Sequence, residues 1–340
     1  MTFKNKKFLI TGGTGSFGSA TVNKLLNAKV KEIVIFSRDE KKQHDMRLKF
    51  KGNKRINFII GDVRDFDSLN QALKNIDYVF NAAALKQVPT AEIFPYEALK
   101  TNSLGAENLI RASLLNQVKK IIFLSTDKAV SPVNAMGITK ALMEKIVISH
   151  AMNLKKNKSS LKLCITRYGN VLGSRGSLLT VFNNQIINKK PITITNPKMT
   201  RFVMTMDEAI DLVFFAFKNG NNGDLFVRKA PAASVETFFK AFLRLKKIKR
   251  YPFKIIGSRY GEKQNESLLN SEEYNLSKSY KRFFVKRLLN DQSEQSTFFE
   301  KGKNILSRGK DYNSLTTKQC TVAELLKIFK ISNVQKDLDE

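Results

Sequence analysis

The sequence predicts an α/β fold, a doubly wound parallel sheet with a smaller C-terminal substrate-binding lobe. Three observations predict it. The first half alternates short apolar runs with amphipathic stretches, the pattern of parallel strands joined by crossover helices. A glycine-rich turn separates the first apolar run from the first amphipathic one. The 340 residues are enough for roughly two domains with a sizeable core.

Taken in order, Lys7–Thr11 reads as the first strand and Phe17–Asn27, apolar at helical spacing, as the first helix. Glu32–Phe36, Asn57–Gly61, Tyr78–Ala82 and Lys120–Ser125 read as further strands, with one helix over Glu97–Asn116. Another helix runs from about Ala135 to His150, and Leu161–Thr166 is a sixth strand. After Arg167 the alternation breaks into loop-rich sequence, Gly169 to Gly176 and Asn188 to Pro197, where a separate lobe begins. Met206–Asn219 reads as a helix and Asp224–Arg228 as a strand returning to the sheet. Residues 1–167 with 206–229 are therefore expected to form the nucleotide-binding domain. Residues 168–205 with 230–340 are expected to form the lobe and a helical, polar extension without detectable repeat.

Composition narrows the function. With 42% hydrophobic and 26% charged residues the chain is globular rather than disordered. Fifty-nine Lys and Arg against 30 Asp and Glu give a formal charge of +29. The excess is spread over the whole chain beside abundant Asn and Ile, so compositional bias accounts for it better than a nucleic-acid partner. The two cysteines, Cys164 and Cys320, lie far apart and are expected to be reduced thiols of a cytoplasmic protein. No apolar run is long enough to span a bilayer or to serve as a signal segment. His44 and His150 are the only histidines, each alone amid polar or helical sequence, which argues against both a histidine-built zinc site and a Ser-His-Asp triad.

The strongest chemical signal is Thr11-Gly12-Gly13-Thr14-Gly15-Ser16-Phe17-Gly18 between a strand and a helix. It fits GxxGxxG through Gly12, Gly15 and Gly18, and GxGxxG through Gly13, Gly15 and Gly18. Glycine lets the backbone turn sharply and approach a pyrophosphate, while the helix N-terminus offers unpaired N–H groups to its charge. In this context the sheet is Rossmann-like. The second strand ends in Ser37-Arg38 without the carboxylate that would meet a ribose hydroxyl. Arg38 suits a 2′-phosphate, so NADP is favoured over NAD, although Asp39 lies close by. Asp62 and Val63 close the third strand and are expected to border the adenine.

Thr126-Asp127-Lys128 follows the fifth strand, at the sheet edge where ligands sit in open α/β folds. A carboxyl group, an amine and a hydroxyl side by side can supply acid and base; a capping Asp with a solvated Lys is the bland alternative. Met136-Gly137-Ile138-Thr139-Lys140 then places positions 136 and 140 on one helical face.

Glycine turn, alternating sheet and this MxxxK segment together resemble the extended short-chain dehydrogenase/reductases, whose YxxxK helix serves the nicotinamide. More narrowly, Ala82–Pro89, Thr126-Asp127-Lys128, Asn134–Lys140 and Arg259-Tyr260-Gly261-Glu262-Lys263 resemble the UDP-N-acetylglucosamine 4,6-dehydratases of bacterial surface-polysaccharide synthesis. The likeness extends to about Leu269. It implies catalytic roles for Thr126, Asp127 and Lys128, with Lys140 at the nicotinamide ribose beside Met136. It implies that Thr14, Ser16, Phe17, Ala82, Ala83, Ala84, Lys86 and Asn102 line bound NADP. Arg259 and Glu262 would hold the UDP portion, with Lys86, Asn170, Arg175 and Arg201 facing the sugar nucleotide. Met136 stands where many members have the tyrosine, and a thioether is no useful base at neutral pH. The implied reaction is C4 oxidation, loss of water across C5 and C6, and reduction at C6, with no added reductant because the cofactor is regenerated each turnover. Lys128 would take the C5 proton, its pKa lowered by nearby positive charge, and protonated Asp127 would assist the leaving hydroxyl; inversion at C5 is favoured. A homo-oligomer is implied by the likeness alone. The alternatives are a UDP-sugar 4-epimerase, or a catalytically silent nucleotide-binding module.

Overall fold

The computed structural model describes residues 2–174, 176–288, 309–332 and 334. Its elements run β1 (Lys7–Thr11), α1 (Ser16–Asn27), β2 (Glu32–Ser37), α2 (Glu40–Lys49), β3 (Ile56–Ile60), α3 (Phe66–Ala72) and β4 (Tyr78–Asn81). Next come α4 (Val88–Ile93), α5 (Pro95–Leu99), a π-helical turn (Lys100–Leu104), α6 (Gly105–Leu115) and β5 (Lys120–Thr126). A 3₁₀ turn (Asp127–Ala129), α7 (Ala135–Lys156), β6 (Lys162–Tyr168), α8 (Leu178–Ile187), β7 (Ile192–Ile194), β8 (Thr200–Phe202), α9 (Met206–Asn219) and β9 (Asp224–Arg228) follow. The rest comprises β10 (Ala232–Ser234), α10 (Val235–Leu245), β11 (Phe253–Ile255), β12 (Ser267–Leu269), α11 (Ser271–Leu276), β13 (Ser277–Ser279), β14 (Phe283–Lys286), β15 (Tyr312–Asn313) and α12 (Val322–Ile331).

Nine strands form one sheet in the order β3-β2-β1-β4-β5-β6-β9-β14-β13. The seven from β3 to β9 are mutually parallel, and β14 and β13 add antiparallel. The direction of winding reverses between β1 and β4, which opens a crevice at their carboxyl ends, between the glycine turn and Ala82–Ala84. The strands are apolar on both faces because both are covered. Leu109, Ile110, Val147 and Met143 of α6 and α7 pack on one face, and Val22, Leu25, Ile210 and Val213 of α1 and α9 on the other.

A third core, with Phe182, Phe238, Phe242, Leu325 and Phe329, gathers α8, α10 and α12 beyond the sheet. Here the structure departs from the expected helical, polar extension. Residues 277–286, expected within the lobe, form a hairpin that pairs Phe283–Lys286 with β9, so that Phe283 and Val285 join a core under the sheet. The single helix expected over Glu97–Asn116 is instead α5, the π turn and α6. The π turn brings Asn102 and Ser103 inward, where they bond to α7.

Arg167, at the end of β6, ties sheet to lobe. It is 4% exposed and donates to Glu144 of α7 at 2.7 and 2.5 Å and to Glu273 of α11 at 2.6 and 2.8 Å. Both carboxylates use both oxygens, the geometry that lets a buried ion pair offset its desolvation. No helix among the described residues is long and apolar enough to cross a membrane.

Candidate functional site

A cleft of about 950 Å³ lies along the carboxyl edge of the sheet and under the lobe. At one end Gly12, Thr14, Gly15, Ser16, Phe17 and Gly18 line it, while Gly13 does not, which selects the Gly12/Gly15/Gly18 register. Gly12 has φ +63°, and a Cβ there would sit 2.8 Å from the Ala83 Cα. The absent side chain is therefore what lets the turn pass close against the β4 loop. Gly15 caps α1 without a side chain, so the first N–H groups of the helix face the cleft unobstructed. These features fit a dinucleotide pyrophosphate.

Ser37 is tied to the glycine turn by a 3.0 Å hydrogen bond between its Oγ and Thr14 Oγ1. Arg38, the next residue, is half exposed and 3.5 Å from Asp62, which is held chiefly by Arg64. Ser37, Arg38, Asp62 and Val63 stand outside the cleft proper, whereas Lys42 of α2, which the sequence reading passed over, lines it. Ala82, Ala83, Ala84 and Lys86 form the wall after β4. Asn102 is placed behind that wall, 1% exposed. Its amide spans Leu85 N–H and C=O at 2.9 and 3.0 Å and reaches Thr139 at 3.0 Å, so it shapes the wall rather than facing into the cleft.

The other end is built by β5 and α7. Thr126 ends β5 and starts the 3₁₀ turn, its Oγ1 accepting from Lys128 N–H at 3.3 Å and donating to Asp127 Oδ1 at 2.8 Å. Lys128 Nζ donates to the same oxygen at 3.0 Å. Asp127 is 1% exposed, and its Oδ2 has no hydrogen-bond partner among the described residues. Asn134 caps α7, accepting from Gly137 N–H at 2.8 Å and donating to Gly261 C=O at 2.8 Å, which couples the MxxxK helix to the Arg259–Lys263 segment. Met136 lines the cleft and packs with Ala91 and Ala98. One turn on, Lys140 is buried and donates to Leu124 C=O at 2.8 Å; burial brings its pKa down to about 8.

On the lobe side, Asn170, Arg201, Arg259 and Glu262 all line the cleft, whereas Arg175 lies outside the described residues. Arg201 is fixed by Thr200 C=O at 2.9 Å, Gln264 C=O at 3.2 Å and Glu262 at 3.3 Å. The Glu262 carboxylate also accepts the Arg259 backbone N–H.

The expected lowering of the Lys128 pKa is corrected by the structure. Burial alone would lower it, but Asp127 and Glu266 outweigh burial and hold it above its ordinary value. Glu266 and Tyr168 also line the cleft and were missed. Tyr168 stacks on Phe17 with ring centroids 5.5 Å apart, and burial together with Asp127 raises its phenol pKa. Its place at the end of β6, in register with Thr126, was the available signal. Glu266 lies three residues beyond Lys263, but nothing local marks a glutamate there as buried.

The model of the family described as polysaccharide biosynthesis protein matches residues 8–287. The chain belongs to this family. Two relatives are called UDP-glucose 4-epimerase, one from Rickettsia bellii and one from Rickettsia felis. They are 46% and 45% identical to it over 341 residues, with 99% of each chain covered in both cases. Among solved structures, Pen from Bacillus thuringiensis is 32% identical with a TM-score of 0.89, over 98% of this chain and 99% of that one. The dTDP-glucose 4,6-dehydratase DesIV of Streptomyces venezuelae, with NAD and TYD bound, shares the fold at 16% identity and a TM-score of 0.71, over 97% of each chain.

Proposed function

We propose that this protein is a nucleotide-sugar-modifying enzyme, a C5-inverting UDP-N-acetylglucosamine 4,6-dehydratase working with NADP. Its product is a UDP-4-keto-6-deoxy-N-acetylhexosamine for surface polysaccharide. The observation that carries this reading is the Thr126-Asp127-Lys128 cluster on the cleft wall, with Met136 rather than a tyrosine lining the same cleft. Exchange of configuration at C4 needs one group on the C4 oxygen. Removing water needs in addition an acid for the C6 hydroxyl and a base for the C5 proton.

The 3.0 Å hydrogen bond from Lys128 to Asp127 lets one proton pass from ammonium to carboxylate, which creates that acid and that base together. The amine of Lys128 then takes the C5 proton while Asp127 protonates the departing hydroxyl. Thr126 bonds the sugar hydroxyl, and Arg201, Arg259 and Glu262 hold the UDP portion, with Lys86 and Asn170 along the sugar. A nicotinamide dinucleotide seated on the glycine turn supplies the oxidation and the returning reduction. Lys140 would hold its ribose, and Lys42 lining the cleft, with Arg38 just outside it, would supply the cationic groups for a 2′-phosphate. Ile138 and Leu142, exposed and one turn apart on α7, suit contact with a second copy of the chain. Lys128→Ala is expected to abolish C5 solvent-deuterium exchange; exchange retained at near-normal rate removes Lys128 as the base.

A second reading, UDP-glucose 4-epimerase, is favoured by the names of the Rickettsia relatives. It predicts the C4 epimer as product, and leaves the paired Asp127 and Lys128 without a task.

A further inference from the structure

Lys128 faces a second carboxylate that the mechanism above leaves unused. Glu266 is 2% exposed and borders the cleft, with Oε1 3.5 Å from Lys128 Nζ. Its Oε2 has no hydrogen-bond partner among the described residues. The backbone at this position is firmly held. Glu266 N–H donates to Ser314 Oγ at 2.9 Å, its C=O accepts from Ser314 N–H at 2.8 Å, and Ser314 Oγ lies 2.7 Å from Thr200 Oγ1. β12, which begins at the next residue, pairs with β15.

A buried carboxylate loses hydration that only hydrogen bonds or a nearby cation can replace. The charged groups around Glu266 come from three segments: Asp127 and Lys128 of the 3₁₀ turn, Arg201 of β8, and Lys263 of its own segment. Arg201 is engaged by Glu262, and Lys263 donates to Val130 C=O at 2.5 Å. Among the described residues, Lys128 is the cation within ion-pair distance of Glu266.

We propose that Glu266 is the positioning residue for Lys128: together with Asp127 it holds the amine between two carboxylates and sets the pH at which that amine gives up its proton. The proposal rests on the reading of Lys128 as the C5 base only for its catalytic consequence. The electrostatics agree with it, since Asp127 and Glu266 together overcome the burial that would otherwise lower the Lys128 pKa. Burial, with the charge of Asp127, raises Glu266 in turn.

The test reads Lys128 directly in the full-length protein and needs no substrate. Acetylation of Lys128 by trace acetic anhydride, followed by peptide mass spectrometry over a neutral-to-alkaline series, reports the free amine. In Glu266→Gln the midpoint moves to lower pH, and at a fixed pH below it Lys128 labels about tenfold faster. Should that variant not fold, Glu266→Asp, whose carboxylate is drawn back by one methylene, gives a smaller movement in the same direction. An unmoved midpoint in the folded variants overturns the proposal. Turnover of UDP-N-acetylglucosamine is measured alongside: the acid limb of its kcat–pH profile moves to lower pH with the labelling midpoint, while KM stays within about twofold. Wild-type protein that makes no product, with a midpoint that still moves, ends the dehydratase reading and leaves the positioning role in place.

Discussion

Replacing Lys140 by Met tests whether this amine is charged at a cost within the fold. Lys140 is buried, bonds Leu124 C=O at 2.8 Å, and has its pKa brought from 10.5 to about 8 by burial. Below the folded value both states carry the proton, and the folded state bears the full desolvation cost. The cost is relieved as pH rises from about 8 towards the unfolded value. The difference corresponds to roughly 3 kcal/mol near pH 7, of which about 1 kcal/mol remains near pH 10. Met fills much the same volume and cannot titrate. Loss of the donor to Leu124 is common to both conditions and cancels in the comparison. Urea unfolding of wild type and Lys140→Met at both pH values should therefore show wild type gaining about 2 kcal/mol on the variant at the higher pH. A stability difference that does not change between the two conditions would refute the reasoning.

Three further outcomes are expected. Arg167→Leu strands Glu144 and Glu273 in a buried site and should cost about 3–5 kcal/mol of stability, read as a lower urea midpoint; a change below about 1 kcal/mol would show that the cluster contributes little. Gly12→Ala puts a Cβ 2.8 Å from Ala83 at φ +63°, and should weaken dinucleotide binding at least about tenfold by calorimetry while the fold survives. Arg38→Ala should weaken NADP at least about tenfold more than NAD, and an equal effect on both would remove Arg38 from the 2′-phosphate site.

Much of the first half was legible because its signals are local. The glycine turn is bracketed by β1 and α1 as periodicity predicts, and β2 to β6 lie within one or two residues of the apolar runs. Thr126, Asp127, Lys128, Met136 and Lys140 sit in consecutive segments at one sheet edge, so the topology brings them together without long-range knowledge. What escaped depends on distant pairing. Phe283–Lys286 is a short strand whose place is decided by β9, about 60 residues earlier. Glu266 owes its burial to Ser314 and to the pairing of β12 with β15, neither of which leaves a trace around position 266. Lys42 lines the cleft from α2, the helix that follows β2, and nothing in its exposed, charged surroundings marks it out. Asn102 was assigned to the cofactor, but the π turn directs its amide to Leu85 and Thr139 behind the wall.

The central claim is tested most directly by incubating the purified protein with UDP-N-acetylglucosamine and NADP in D2O, without reductant, and following product mass and proton NMR. The account predicts a 4-keto-6-deoxy product carrying deuterium at C5, with ring couplings of the inverted configuration. Recovery of the C4 epimer alone, or of unchanged sugar, would contradict it.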